Sequence, residues 1–236
     1  MPLTRISSGV LSGSRYSRYR TNAIAYEPTW GKLRDRTLPA PGNHEYLTRG
    51  AAGYFGYFHD RAGESGKGYY SKNVCSWHIV ALNSNIDTAT GSEQVKWLQK
   101  DLSENHLTCV LAFWHHPRFS SGAHGNNLHM AAIWTTLYQH SASVVIAGHD
   151  HDYERFAPLN SAGQRDEKHG IRSFVVGTGG AKLFDFSMRG PDSEAWQANS
   201  WGVLKLTLQP DSYSWEFIPV ADTKFHDSGS SRCVTK

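Results

Sequence analysis

The residues best suited to chemistry are in Gly148-His149-Asp150-His151-Asp152-Tyr153-Glu154-Arg155, which follows the apolar run Val144-Val145-Ile146-Ala147. Two histidines two positions apart on an extended segment leaving a strand aim both imidazoles at one place once the backbone bends. Gly148, which has no Cβ, is expected to permit that bend. Converging neutral imidazoles are what a borderline divalent cation needs. Trp114-His115-His116-Pro117 sets another histidine just past the apolar run ending at Phe113, and Gly42-Asn43-His44-Glu45 sets an asparagine and a histidine in a turn. The carbonyl oxygen of Asn43 can complete a set of imidazoles. His116 is expected to face away from its neighbour, because successive extended residues point in opposite directions.

Strands must end where these residues begin. Trp77 to Asn83, Cys109 to Trp114, Val144 to Ala147 and Ser173 to Val176 read as buried strands. Between them, Ser92 to Asn105 carries Val95, Leu98 and Leu102 at helical spacing behind a Ser92 N-cap, and Asn127 to His140 reads as a second helix. Gly202 to Leu208 and Ser212 to Ile218 alternate around Gln209-Pro210-Asp211, a hairpin signal. Strand–helix–strand order followed by antiparallel strands predicts an α/β sandwich with mixed sheets. The crevice beyond the carboxyl ends of its strands is where a site forms.

In this order, GNHE, WHHP and GHDHDYER resemble the later motifs of the calcineurin-like metallophosphoesterases, and the last is close to the purple acid phosphatase form. The resemblance covers about residues 26 to 230. It implies a mixed-sheet αββα sandwich and a dinuclear site, of Fe, Zn or Mn, that hydrolyses a small phosphoester substrate. By motif, Asn43, His115 and His149 resemble ligands of the second metal and His151 a ligand of the first. His44 resembles the histidine that assists the leaving group or the phosphoryl oxygens.

The family pattern opens with an Asp-x-His motif and then a Gly-Asp motif whose aspartate bridges the metals. No aspartate precedes residue 35, and residues 1–43 contain no histidine. Tyr26 to Trp30 resembles the stretch just past the Gly-Asp motif. The expectation is therefore an N-terminally truncated chain lacking the first strand or strands. Residues 1–25 would be an irregular or disordered remnant and residues 26–236 the C-terminal two-thirds of a metallophosphoesterase domain. Such a chain would hold at most one metal, or hold metal weakly. The alternative reading is an inactive fragment or a metal-binding pseudoenzyme. A metallo-β-lactamase-like hydrolase also uses an His-x-His pair, but it needs Asp-His directly after, where Tyr153-Glu154 stand here.

Composition narrows the rest. The 236 residues, 39% hydrophobic and 12% aromatic, suffice for a buried core. The net charge of +3 is spread without a Lys/Arg stripe, which argues against nucleic acid. No apolar stretch reaches the roughly 20 residues of a membrane span, and Met1 to Arg5 lacks the apolar core of a signal peptide. Intact relatives of the resembled family are often secreted; the residues themselves decide neither compartment nor oligomeric state. Cys75, Cys109 and Cys233 allow at most one disulfide, with a thiol left over.

Three further positions carry lesser expectations. His124 follows WHHP at a distance that could bring it over a bound phosphate, so it is a substrate-binding candidate. Arg155 is expected to pair with Asp152 or Glu154 and hold the site loop. Gly177-Thr178-Gly179-Gly180 reads as a tight turn.

Overall fold

The computed structural model describes residues 26–186, 188–220 and 223–235. The expected remnant at 1–25 lies outside the described residues. A seven-stranded sheet has the spatial order 70–74, 77–81, 109–113, 144–147, 172–176, 153–156 and 193–197, and a three-stranded sheet the order 228–232, 212–219 and 202–208. In the large sheet β2 (Trp77–Ala81), β3 (Cys109–Phe113), β4 (Val144–Ala147) and β6 (Arg172–Val176) are mutually parallel. β1 (Tyr70–Val74) and β5 (Tyr153–Phe156) run antiparallel to these, and β7 (Ser193–Gln197) pairs antiparallel with β5.

Every residue of β2, β3 and β4 is buried, because both faces of this sheet are covered. Val110 and Ala112 point to one side, where Val95, Leu98 and Leu102 of α2 (Glu93–Glu104) pack with Ile133, Trp134 and Leu137 of α3 (Ala131–Gln139). Cys109, Leu111 and Phe113 point to the other side, against Leu204 and Leu206 of β8 (Gly202–Leu208) and Tyr213, Trp215 and Phe217 of β9 (Ser212–Pro219). The period-2 alternation of one strand thus feeds two cores, and the result is the expected mixed α/β architecture.

Local signals account for the boundaries. The Ser92 hydroxyl accepts from the Val95 amide at 3.3 Å and starts α2. Asn127 caps a 3₁₀ turn, Leu128–Met130, that runs into α3. The hairpin closes where the Gln209 amide donates to the Ser212 carbonyl at 2.8 Å. A third strand, β10 (Ser228–Arg232), pairs with β9. α1 (Ala52–Phe58) escapes periodicity because Gly53 and Gly56 interrupt it, and it is held by an aromatic cluster of Tyr54, Phe55, Tyr57, Phe58 and Tyr26.

The disulfide is Cys109–Cys233, and Cys75 is a free, exposed thiol. The bridge fastens the start of β3 to the segment after β10 across 124 residues. Closing a loop of that size removes chain entropy from the unfolded state, a contribution of about 4–5 kcal/mol in the loop-closure account.

Candidate metal centre

β3 and β4 are adjacent and parallel, with Phe113 opposite Ile146. Their carboxyl ends therefore deliver the histidine motifs side by side, and the Gly148 amide donates to the His115 carbonyl at 3.0 Å. The bend falls one residue later than expected. His149 itself adopts the left-handed conformation, φ 65°, which is uncommon for a residue with a Cβ. The turn brings its Nδ1 to 3.0 Å from Nε2 of His115. The same Nε2 lies 2.8 Å from Oδ1 of Asn43. The turn carrying Asn43 is fixed by Glu45, which accepts from the Gly42 amide at 2.7 Å, and by Asn85, which donates to the Pro41 carbonyl at 2.9 Å.

His116 joins this group, against the expectation that it would face away. Its ring lies 4.3 Å from that of His149, and ligand atoms of His115, His116 and His149 all fall within 4.8 Å of one another. The alternation rule fails because residues 114–117 have left the strand. The Trp114 amide bonds the Ile146 carbonyl, whereas the His116 amide turns to Ser84 Oγ at 3.0 Å. Ser84 Oγ also lies 2.8 Å from Nδ1 of His116.

His151 is held beside the group. Its Nδ1 donates to the Lys182 carbonyl at 2.8 Å, and its ring stacks on Phe184 at 4.7 Å, 7° from parallel. His44 sits exposed at the start of a 3₁₀ turn, Glu45–Leu47. His124 lies over His149, ring centres 4.2 Å apart. His116, His124 and His149 line a cavity of about 410 Å³ with Pro117, Leu128 and His129.

The pairing expected for Arg155 is not found. Along β5, Tyr153 and Arg155 face the second sheet, whereas Asp152 and Glu154 face the opposite way. Arg155 Nε donates to Asp227 at 2.9 Å, its guanidinium also pairs with Glu194, and it lies over the Trp215 ring. Tyr153 donates to the same Asp227 at 2.6 Å. Arg155 thus fastens the two sheets and does not hold the site loop.

Burial sets the charge state of the metal-free cluster. His115 is pushed well below the ordinary histidine range, first by burial and then by His116 and His149. His149 is pushed down to about 4, first by burial and then by His116 and His124. At neutral pH the group therefore offers lone pairs. Between about pH 6.5 and 4 the unfolded chain binds protons that the folded metal-free protein does not. The histidines' contribution to stability is complete above that window and is lost as pH falls through it, whereas Asp152, pushed up to about 8 first by burial, works in the opposite sense. The histidine part is read by difference: the fall in urea midpoint of chelator-treated protein from pH 7.5 to pH 5 is expected to be larger in the wild type than in His149→Ala, and equal falls would contradict the assignment.

The family model of calcineurin-like phosphoesterases matches residues 12–153, more than half of the chain. Probable purple acid phosphatase 20 of Arabidopsis thaliana is 33% identical over 170 residues, covering 67% of this chain and 39% of that protein. Probable inactive purple acid phosphatase 1 of the same plant is 24% identical over 224 residues, covering 80% of this chain and 36% of that protein. The structure is similar to that of a purple acid phosphatase from yellow lupin seeds, with a TM-score of 0.70 at 21% identity. That alignment covers 88% of this chain and 44% of the lupin protein, so the chain spans less than half the length of these relatives.

Proposed function

This chain belongs to the calcineurin-like phosphoesterase family, and from that premise we propose that it hydrolyses small phosphoesters with metal held by Asn43, His115 and His149. One observation carries the reading: Asn43 Oδ1 and His149 Nδ1 lie 2.8 and 3.0 Å from His115 Nε2. Donors on a tetrahedral ion with bonds of about 2.0–2.1 Å stand roughly 3.3 Å apart, so small outward movements admit a cation. The donor set, neutral imidazoles and an amide oxygen, suits zinc, manganese or iron. A bound metal supplies polarisation of a phosphoryl oxygen and a water acidified for attack.

The chain's own residues take the remaining roles. His151, with Nδ1–H committed to the Lys182 carbonyl, keeps Nε2 free for a second ion, the arrangement usual for metal-bound histidines. His44 stands ready to protonate the departing alkoxide. His124, on the wall of the cavity beside His149, contacts the phosphoryl group of the substrate. The Cys109–Cys233 bridge suits maturation in an oxidising compartment.

The test is hydrolysis of p-nitrophenyl phosphate and of its bis-ester after chelation, with Mn²⁺ or Zn²⁺ restored. Metal-dependent turnover is expected, and its absence with both substrates would overturn the hydrolase reading. A second reading, metal binding without turnover, is favoured by one feature: the grouped donors His115, His116 and His149 include no carboxylate to neutralise a dication. Stoichiometric metal uptake with no hydrolysis would support it.

A further inference from the structure

Asp150 lies between two candidate ligands in sequence, yet it engages neither. Its side chain is fully buried beneath residues 120–124, where an unpaired carboxylate would be costly. Oδ1 accepts from the His124 amide at 2.8 Å and lies 2.7 Å from Nδ1 of the same residue. Oδ2 accepts from the Ser120 hydroxyl, and Ser120 Oγ in turn accepts from the Gly122 amide at 3.0 Å. The loop can press this close only because residue 122 is glycine: a Cβ there would lie 2.6 Å from Asp150 Cγ and 2.3 Å from Asp152 Oδ2. The carboxylate thus grips His124 by both backbone and ring and is itself fixed by Ser120.

The grip settles which ring atom of His124 faces a ligand. With Nδ1–H committed to Asp150, Nε2 is the nitrogen left for the cavity that His116, His124 and His149 line. The contact with the His149 ring, 4.2 Å between centres at 43°, limits rotation on the other side. We propose that Asp150 is a positioning residue: it fixes the tautomer and orientation of His124 so that Nε2 presents its lone pair to the cavity, where it accepts a hydrogen bond from a phosphoryl hydroxyl of the substrate. This rests on the hydrolase reading for its catalytic consequence, though not for its structural part. The arrangement follows the logic by which a buried carboxylate orients an imidazole in hydrolytic triads.

The test has two arms on the full chain. Long-range ¹H–¹⁵N correlation spectra of the metal-free protein are expected to show His124 as the Nδ1–H tautomer. Asp150→Ala should lose that signature, whereas Asp150→Asn, which keeps an acceptor oxygen, should retain it. In the kinetic arm, with Mn²⁺ and p-nitrophenyl phosphate, Asp150→Ala is expected to lower kcat/KM on the order of 10²-fold, the scale of a misplaced catalytic group. His124→Ala should cost a similar factor, the double variant no more than either, and Asp150→Asn should recover most of the rate. Finding the Nε2–H tautomer in the wild-type protein would overturn the proposal even if Asp150→Ala does not fold. So would additive losses in the double variant. If no variant, wild type included, turns over substrate, the hydrolase reading fails, and the tautomer spectra alone decide what Asp150 does.

Discussion

His149→Ala and His115→Ala are each expected to abolish stoichiometric metal binding, and with it metal-dependent hydrolysis. Each removes a donor from a group in which Asn43 Oδ1 and His149 Nδ1 stand 2.8 and 3.0 Å from His115 Nε2. The loss should exceed the roughly 10–100-fold that accompanies removal of a group merely supporting a ligand. His151→Ala tests the other half of the site and is expected to weaken turnover while leaving one equivalent of metal in place. Isothermal titration with Zn²⁺ reads the first effect directly. One equivalent binding His149→Ala at wild-type affinity would remove that residue from the metal set. Circular dichroism must show both variants folded. The left-handed backbone at residue 149, φ 65°, suits alanine no better than histidine, so a change in stability cannot stand in for the loss of metal.

The second large effect is expected at Gly177, far from any ligand in sequence. This residue leaves β6 and lies directly against the backbone of the histidine loop. A Cβ there would fall 1.8 Å from the Asp150 carbonyl oxygen and 3.0 Å from the His151 Cα. The Gly177 amide also donates to the Asp152 carbonyl at 2.9 Å. Main chain opposes main chain, so no flexible side chain can give way. Gly177→Ala should cost at least the ~1–3 kcal/mol typical of overpacking and should push His149 and His151 out of register with His115. Gly56→Ala is the control: it lies in α1, and nothing comes within 4 Å of its added Cβ. Denaturation midpoints and Zn²⁺ titrations of the two variants should separate clearly; equal midpoints would show that the loop yields without cost.

The expectation of a tight turn at Gly177-Thr178-Gly179-Gly180 missed this close approach, and the reason is general. A sequence reports what each residue permits locally, and the partner of Gly177 lies on a loop well before it in the chain. The same limit explains the other departures. Alternation sent His116 away from the site, but the rule holds only within a strand, and the chain leaves β3 at Phe113. Arg155 was expected to pair with its sequence neighbours, but β5 turns Asp152 and Glu154 to the opposite face and gives Arg155 to Asp227. Gly148 looked like the hinge, whereas the strain sits on His149 because the Gly148 amide is tied to the His115 carbonyl.

Local pattern determined much of the rest. The apolar runs at 109–113 and 144–147, the Ser92 cap with Val95, Leu98 and Leu102, and the alternation around Pro210 each specify an element through short-range sterics and burial. Motif order pointed to the family because two short segments at strand ends and a third in the turn at Gly42 to Glu45 carry donors chemically suited to one cation. Only the tertiary structure decided what meets what: that Cys109 bridges Cys233, that Asp150 holds His124, and that the bend at residue 149 brings its ring to His115. These contacts join residues 26 to 124 positions apart, and their geometry depends on how parallel strands register and how loops pack above them. No periodicity along the chain encodes it.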